Sequence, residues 1–403
     1  MVISANKKIC RMSVHPDWRW LIKNQEYCFV ALLFMLLGIC SEGQAACSYV
    51  NGTTGPQVTT FSLTPANITA GPDLPNGTVL YRGDVGFQAA ANDVWIGCDT
   101  PTTVLQNLYV ESAPHGLSAW GGSPFGGTTY ETGIPGIGIA IWYSNQNTGA
   151  TTSTPDLQAT VSITPPQEKG FPTPFKFSLI KTGNIQPGTL NGADLPSVIM
   201  KAESNGVSGL PLTLLKGNFS GIINIVSQTC QTPDVTVQMG TYEITQYFRG
   251  VGSSTPWIDS SIQLINCPRF YGYYSDSSLI NYDPLSGGGS ISSTTANLLK
   301  VSLQPATSVI DSTNGVLEVN ANGSTGSPAT GIGIQLGYTP DNINASPTAP
   351  TTIWKDGDTW SVAPPNDGTA NFRIPLAARY YQVNPVVTPG PANSQVTFVI
   401  DYN

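Results

Sequence analysis

Histidine is nearly absent: the 403-residue sequence has two, and one of them, His15, lies in the N-terminal stretch set aside below. A zinc site built on histidines therefore lacks ligands, and a Ser-His-Asp triad has a single candidate base, His115, in the loop-like segment APHG. Charge is also scarce. Seventeen Lys and Arg against 25 Asp and Glu leave a formal net charge of −8, which argues against nucleic acid and anionic lipid surfaces as partners. The apolar run FVALLFMLLGIC (Phe29 to Cys40) falls well short of the roughly 20 residues a membrane span needs. The glycine-rich stretch Gly121 to Gly127 is not followed by the Lys of a phosphate loop and reads as turns. Asp93, Asp99, Glu111 and Glu131 are carboxylates without the spacing of an acid/base pair. No catalytic residue, metal site or cofactor is expected, and the chain is not read as an enzyme.

What is abundant is turn chemistry. Forty-two glycines and 32 prolines separate short runs rich in Val, Ile and Tyr, the pattern of an all-β protein with many turns and no long helix. Before the run at Phe29 stand Lys7, Lys8, Arg11, Arg19 and Lys23, and after it the small residues Gly43, Ala45 and Ala46. This is the order of a secretory signal peptide, residues 1–45, with cleavage expected after Ala45. Its loss leaves a chain of formal charge about −10, suited to an extracytoplasmic compartment.

Asn393 to Asn403 (NSQVTFVIDYN) sets Val396, Phe398, Ile400 and Tyr402 at period two with Thr397 and Asp401 between them, an amphipathic strand that needs a neighbour. Upstream, CQTPDVTVQMG from Cys230, GVGSSTPW (Gly250 to Trp257), SIQLINCP ending at Cys267 and Pro268, and RIPLAARYYQV (Arg373 to Val383) alternate in the same way between turns. In this order they closely resemble the pilin domain of chaperone-usher fimbrial subunits, over roughly Val226 to Asn403. The resemblance implies an immunoglobulin-like sandwich lacking its last strand. A periplasmic chaperone, and then the donor strand of the adjacent pilus subunit, would fill that place. Phe398, Ile400, Tyr402 and the terminal carboxylate of Asn403 would be the chaperone and donor-strand contacts, and an outer-membrane usher would thread the subunit.

Roughly 360 residues after the signal are too many for one ordinary sandwich. The expected organisation is therefore residues 46–225 as a lectin-like sandwich, jelly-roll or immunoglobulin-like, and 226–403 as the incomplete pilin sandwich. Gly287 to Gly289 reads as an elongated loop of the second. The four cysteines that remain allow three pairings. The sequential one, Cys47 with Cys98 and Cys230 with Cys267, puts one bridge in each half and is expected to stabilise each by about 4 kcal/mol; the others would tie the halves together.

A shaft pilin carries only a short arm before its first cysteine, whereas here a whole domain stands in that place. That arrangement implies a subunit able to receive a strand but not to give one, hence the tip. Residues 46–225 resemble the lectin-type domain of two-domain tip adhesins through a Cys directly after the cleavage site, the segment Phe61 to Arg82, TGIPGIGIAIWYS (Thr132 to Ser144), and Pro174 to Lys201. A glycan offers an apolar face and a rim of hydroxyls, so aromatic and short polar loop residues are the candidates. They are Ala46 with Asp99 and Thr100, the loop carrying His115, Trp120 and Tyr130, and Glu203, Ser204 and Asn205. The first and third correspond in position to the pocket of mannose-binding adhesins. Those adhesins begin Phe-Ala-Cys and follow the second cysteine with His-Asn-Asp, whereas this chain has Ala46-Cys47 and Cys98-Asp99-Thr100-Pro101, so mannose is not the expected sugar. The function expected is a fimbrial tip adhesin for a host or environmental receptor, a glycan, exported through the periplasm to the cell surface. The alternative is a structural cap or initiator subunit that binds no ligand.

Overall fold

The structure is a computed structural model, and it describes residues 46–64, 66–86, 93–275, 280–282, 289–291 and 293–403. The signal-peptide expectation falls on residues 1–45 and lies outside them. The described chain is built almost wholly from strands arranged in sandwiches, with a single four-residue α-helical turn at Ile244–Tyr247.

In the first half, a five-stranded sheet runs in the order Gln57–Ser62, Leu212–Ser220, Ser197–Glu203, Thr102–Ser112, Asp156–Ile163. The long strand Thr102–Ser112 shows how the sequence makes it. Val104, Leu108 and Val110 are buried, while Thr103, Leu105 and Glu111 are exposed. The strict alternation slips at Gln106 and Asn107, where the pairing with Asp156–Ile163 shifts register, and such a bulge re-aims the residues beyond it. Facing this sheet is a six-stranded one containing Val79–Val85, Phe175–Lys181 and Ile137–Trp142. Ile137–Trp142 is buried throughout because its second face is also covered: Phe125 from a loop packs with Ala140, Trp142 and Ile180 in a separate cluster. A strand covered on both sides reads as a continuous apolar run, as this one does.

The second half has its own core, from Cys230 and Cys267 to Tyr402, including Trp354 and the stacked pair Tyr338 and Trp360. One sheet holds Ile258–Asp259, Leu376–Gln382, Ile332–Tyr338, Val316–Leu317 and Val309–Asp311; the other holds Thr359–Val362, Leu299–Pro305 and Val396–Tyr402. Pro375 has no N–H to give a ladder, and it separates Phe372–Ile374, paired with Ile262–Leu264, from Leu376–Gln382, paired with Ile258–Asp259. Both disulfides take the sequential pairing, Cys47–Cys98 and Cys230–Cys267.

One stretch of the second half belongs physically to the first. Ile280–Tyr282 pairs in parallel with Gly83–Val85, and Gly289–Ile291 pairs with Ile280–Tyr282, so together they extend the six-stranded sheet. Gly287 and Gly288 of the expected loop lie outside the described residues. Tyr274, Ile280 and Tyr282 are members of the first core. The Tyr282 hydroxyl is 2.6 Å from that of Tyr81 and accepts from the Thr64 amide at 3.0 Å, and its ring meets Phe177 at 5.6 Å. Tyr274 stacks edge-on against Tyr81 and donates its amide to the Leu80 carbonyl at 2.8 Å. Burial raises the pKa of both Tyr81 and Tyr282, so the hydroxyl pair remains neutral.

Tyr282→Ala should destabilise the first half by about 3–5 kcal/mol as a buried aromatic is lost, and Tyr282→Phe by about 1–2 kcal/mol, because the Thr64 amide loses its acceptor. Urea denaturation followed by tryptophan fluorescence checks this. An unchanged midpoint for Tyr282→Ala would show that the added strand is peripheral.

Candidate functional site

At one end of the first half three segments meet. The disulfide sets Cys47 directly opposite Cys98 across paired strands. Just beyond it, the Ala46 amide donates to Asp99 Oδ1 at 2.7 Å and the Asp99 amide donates to the Ala46 carbonyl at 3.0 Å. On the other side, Ala46 pairs in parallel with Ser208, and the Cys47 amide donates to the Ser208 carbonyl at 2.9 Å. This close approach requires glycine next door. Gly209 has φ +81°, and a Cβ there would lie 2.1 Å from the Cys47 carbonyl oxygen. Ala46, Asp99 and Asn205 are exposed at this tip, with Thr100 and Ser204 half-buried beside them.

Glu203 is placed differently. It ends the strand Ser197–Glu203 opposite Leu105. One of its carboxylate oxygens accepts from Asn107 Nδ2 at 2.7 Å and from the Tyr109 hydroxyl at 2.8 Å. Desolvation first, and the Glu203 carboxylate second, push the Tyr109 pKa up to about 12. The Lys201 ammonium stands 5.1 Å over the Tyr109 ring. Glu203 is thus held by a polar-aromatic cluster on the sheet. Asn107 and Tyr109 were not among the sequence candidates, because their approach to Glu203 depends on the register of two strands distant in sequence.

The third group of candidates lies elsewhere. Strand Thr102–Ser112 runs between the tip and the loop that starts at Ala113, and its 11 residues span roughly 33 Å. His115 is exposed near Gly133, where an added Cβ would sit 2.9 Å from its Nε2. Trp120 donates its indole N–H to the Pro124 carbonyl at 2.8 Å and packs on Gly122. The same loop lies against Gly77, whose amide donates to the Lys181 carbonyl. Tyr130 is 2% exposed, and its hydroxyl accepts from the Thr152 amide at 3.0 Å. It is a core residue, and the expectation that it faces a ligand is corrected. Its position beside Ile139 in the buried strand pair accounts for this.

The second candidate surface is the strand Val396–Tyr402. Asn403 and Leu298 exchange both backbone hydrogen bonds at 2.9 Å, and at the other end the Ala306 amide donates to the Gln395 carbonyl at 2.9 Å. Because an antiparallel ladder alternates, residues 395, 397, 399, 401 and 403 turn their polar groups toward Leu299–Pro305. Val396, Phe398, Ile400 and Tyr402 turn theirs to the opposite side, where no strand is paired among the described residues. Val396, Phe398 and Ile400 are half-buried against the second core, as are Met239 and Tyr242 from the segment after Cys230. That segment belongs to no strand between residues 232 and 243. Tyr402, expected as a chaperone and donor-strand contact, is placed differently from Phe398 and Ile400. Its side chain is buried, its hydroxyl accepts from the Cys230 amide at 3.2 Å, and its own amide donates to Asp73 Oδ2 at 2.9 Å.

Among the described residues no group of three or more His, Cys, Asp or Glu side chains could hold a metal ion, and no helix is long and apolar enough to cross a membrane.

Comparison with known proteins gives a match of residues 218–403 to the family described as "Fimbrial protein". A curated relative, the fimbrial subunit type 1 of Salmonella typhimurium, is 29% identical over 197 residues, covering 48% of this chain and 85% of its own. Among solved structures, the receptor binding domain of the adhesin MrkD1P of Klebsiella pneumoniae is similar at 21% identity and TM-score 0.30, covering 46% of this chain and 98% of that one. The CupB6 tip adhesin from Pseudomonas aeruginosa is similar at 13% identity and TM-score 0.32, covering 88% and 95%.

In an alkaline spectrophotometric titration, Tyr109 should ionise near pH 12, and Glu203→Gln should lower that midpoint. Because the folded pKa is the raised one, the associated stability is present below about pH 10 and is lost as pH rises toward 12. An unaltered titration in Glu203→Gln would show that the two groups do not interact.

Proposed function

We propose, from the match of residues 218–403 to the fimbrial protein family, that the chain is a chaperone-usher tip adhesin of two domains, 46–225 for receptor binding and 226–403 for attachment to the pilus. Fimbrial proteins are surface pilus components with structural and adhesive roles, not enzymatic ones. The observation that carries the reading is the edge Val396 to Ile400, where half-buried apolar side chains lie beneath a backbone side that pairs with no strand among the described residues. An exposed edge of this kind is an aggregation hazard in an isolated chain and is relieved by strand addition. A periplasmic chaperone would supply the first strand and the neighbouring pilus subunit its replacement, after passage through an outer-membrane usher.

The first half is an independent reason for the tip position. A folded sandwich stands before Cys230 where a subunit of the shaft would carry a short donor arm. Its exposed end, with Ala46, Asp99, Thr100, Ser204 and Asn205, lies far from the strand-accepting edge and offers short polar groups to a receptor, for which a glycan is the fitting chemistry. Glu203 supports that end by bracing the sheet beneath it. His115 and Trp120, at the opposite end of strand Thr102–Ser112, do not belong to the same surface.

The test is a glycan-array and matrix-protein binding screen using the chain from Ala46 to Asn403, with Asp99→Ala and Trp120→Ala variants. Saturable binding that falls at least tenfold in Asp99→Ala and persists in Trp120→Ala is expected. Binding lost only in Trp120→Ala would move the receptor site to the other end. Absence of binding by a folded, disulfide-bonded chain would favour the structural cap.

A further inference from the structure

We infer that the turn Gly71–Asp73 of the first half is an end-stop on the strand-accepting edge, fixing the register of whatever strand is added there. This rests on the strand-acceptor reading given above and specifies how far the added strand runs.

The alternation of the ladder makes Tyr402 one of the residues whose N–H and C=O face the open side, together with Val396, Phe398 and Ile400. At Tyr402, however, that side is already taken. Its N–H donates to Asp73 Oδ2 at 2.9 Å. Its C=O lies so close to Gly71 that a Cβ on Gly71 would sit 1.9 Å from the oxygen. Both polar groups that an added strand would use at this position are covered by one turn of the other half.

That turn is fixed from behind. Lys181 is 2% exposed, and its ammonium donates to the Pro72 carbonyl at 2.6 Å and the Gly71 carbonyl at 3.2 Å. Both bonds are charge-assisted, the stronger class, and the one to Gly71 is fully buried. The Ala70 amide donates to the Val226 carbonyl at 2.9 Å, which anchors the entry to the turn. An added strand can therefore pair along Val396 to Ile400 and stops where it meets the turn. Because a shift of one residue in a strand exchanges its two faces, a fixed end has a consequence for selection. The incoming strand must place its apolar residues in one phase relative to that end, so that they fall on the core side beside Phe398 and Ile400.

The test uses the chain from Ala46 to Asn403 and a ladder of fluorescent peptides of alternating Val and Thr with lysine-capped ends, about five to about thirteen residues long. Affinity is read by fluorescence anisotropy. It should rise with length and then level off once Val396 to Ile400 is covered. Asp73→Ala should gain about a further fivefold from the next register step, the equivalent of one hydrogen bond, whereas Asp73→Asn, which keeps a carbonyl acceptor, should level off like the unaltered chain. Hydrogen exchange of the peptide-free chain gives a reading independent of any variant: the Tyr402 amide should exchange slowly and those of Val396, Phe398 and Ile400 quickly. Affinity that climbs with length equally in the native chain and in Asp73→Ala, or a Tyr402 amide as labile as that of Ile400, overturns the end-stop alone. A folded chain that binds no peptide of any length overturns the strand-acceptor reading and the end-stop with it.

Discussion

The constraint on which this architecture depends is that a strand edge must find a partner for its backbone. Each edge N–H and C=O left in an apolar setting is costly, and a sandwich chain generates many edges. Here they are disposed of in distinct ways. The outer edge of Val79–Val85 is taken by Ile280–Tyr282 from the far half of the sequence. The end of Val396–Tyr402 is taken by a carboxylate, Asp73. Along Val396 to Ile400 the apolar side chains are half-buried against the second core, and the outer backbone side pairs with no strand among the described residues.

Seen this way, the junction between the halves is a working part of both. Tyr274, Ile280 and Tyr282 complete the first core, and Gly71 to Asp73 complete the edge of the second. Asn297 joins the two by donating to the Thr69 carbonyl at 2.8 Å while its own carbonyl accepts from the Gly272 amide at 2.9 Å. Thr69 in turn donates its hydroxyl to the Arg269 carbonyl and accepts from the Tyr271 amide. The result is a polar network at the point where the chain passes from one sandwich to the other, with partners drawn from both sides.

Much of this was legible in the sequence. The all-β class followed from glycine and proline punctuating short β-branched runs, the disulfide pairing from the even division of four cysteines, and the amphipathic edge from the period of Val396 to Tyr402. Ala46 is in contact with Asp99 and with Ser208 of the loop after Glu203. What was not legible depends on long-range register. Nothing local to INY at Ile280 to Tyr282 says that it will pair with Gly83 to Val85, some two hundred residues away. Tyr130 and Trp120 looked like loop aromatics because their neighbours are turn residues, but Tyr130 is core because it pairs beside Ile139 of a buried strand, and Trp120 is tied to Pro124. Asp73 is one of many acidic residues in turns, and its value comes entirely from the strand end that it meets.

The exchange of elements between the halves bears on how the chain divides. Cutting after residue 225 would remove Tyr274, Ile280 and Tyr282 from a core in which they are 7%, 0% and 2% exposed. Each buried side chain of this size contributes about 1.5–3 kcal/mol, so the loss is of order 5–9 kcal/mol, comparable with the roughly 5–15 kcal/mol that holds an ordinary domain folded. The same cut would uncover the edge of Val79–Val85 and create in the first half an open edge of the kind found along Val396 to Ile400. Linear sequence therefore places a boundary near Val226, while the physical boundary of the first sandwich reaches forward to include the strand at Ile280. A first half defined by its core, not by its sequence limits, carries that strand with it.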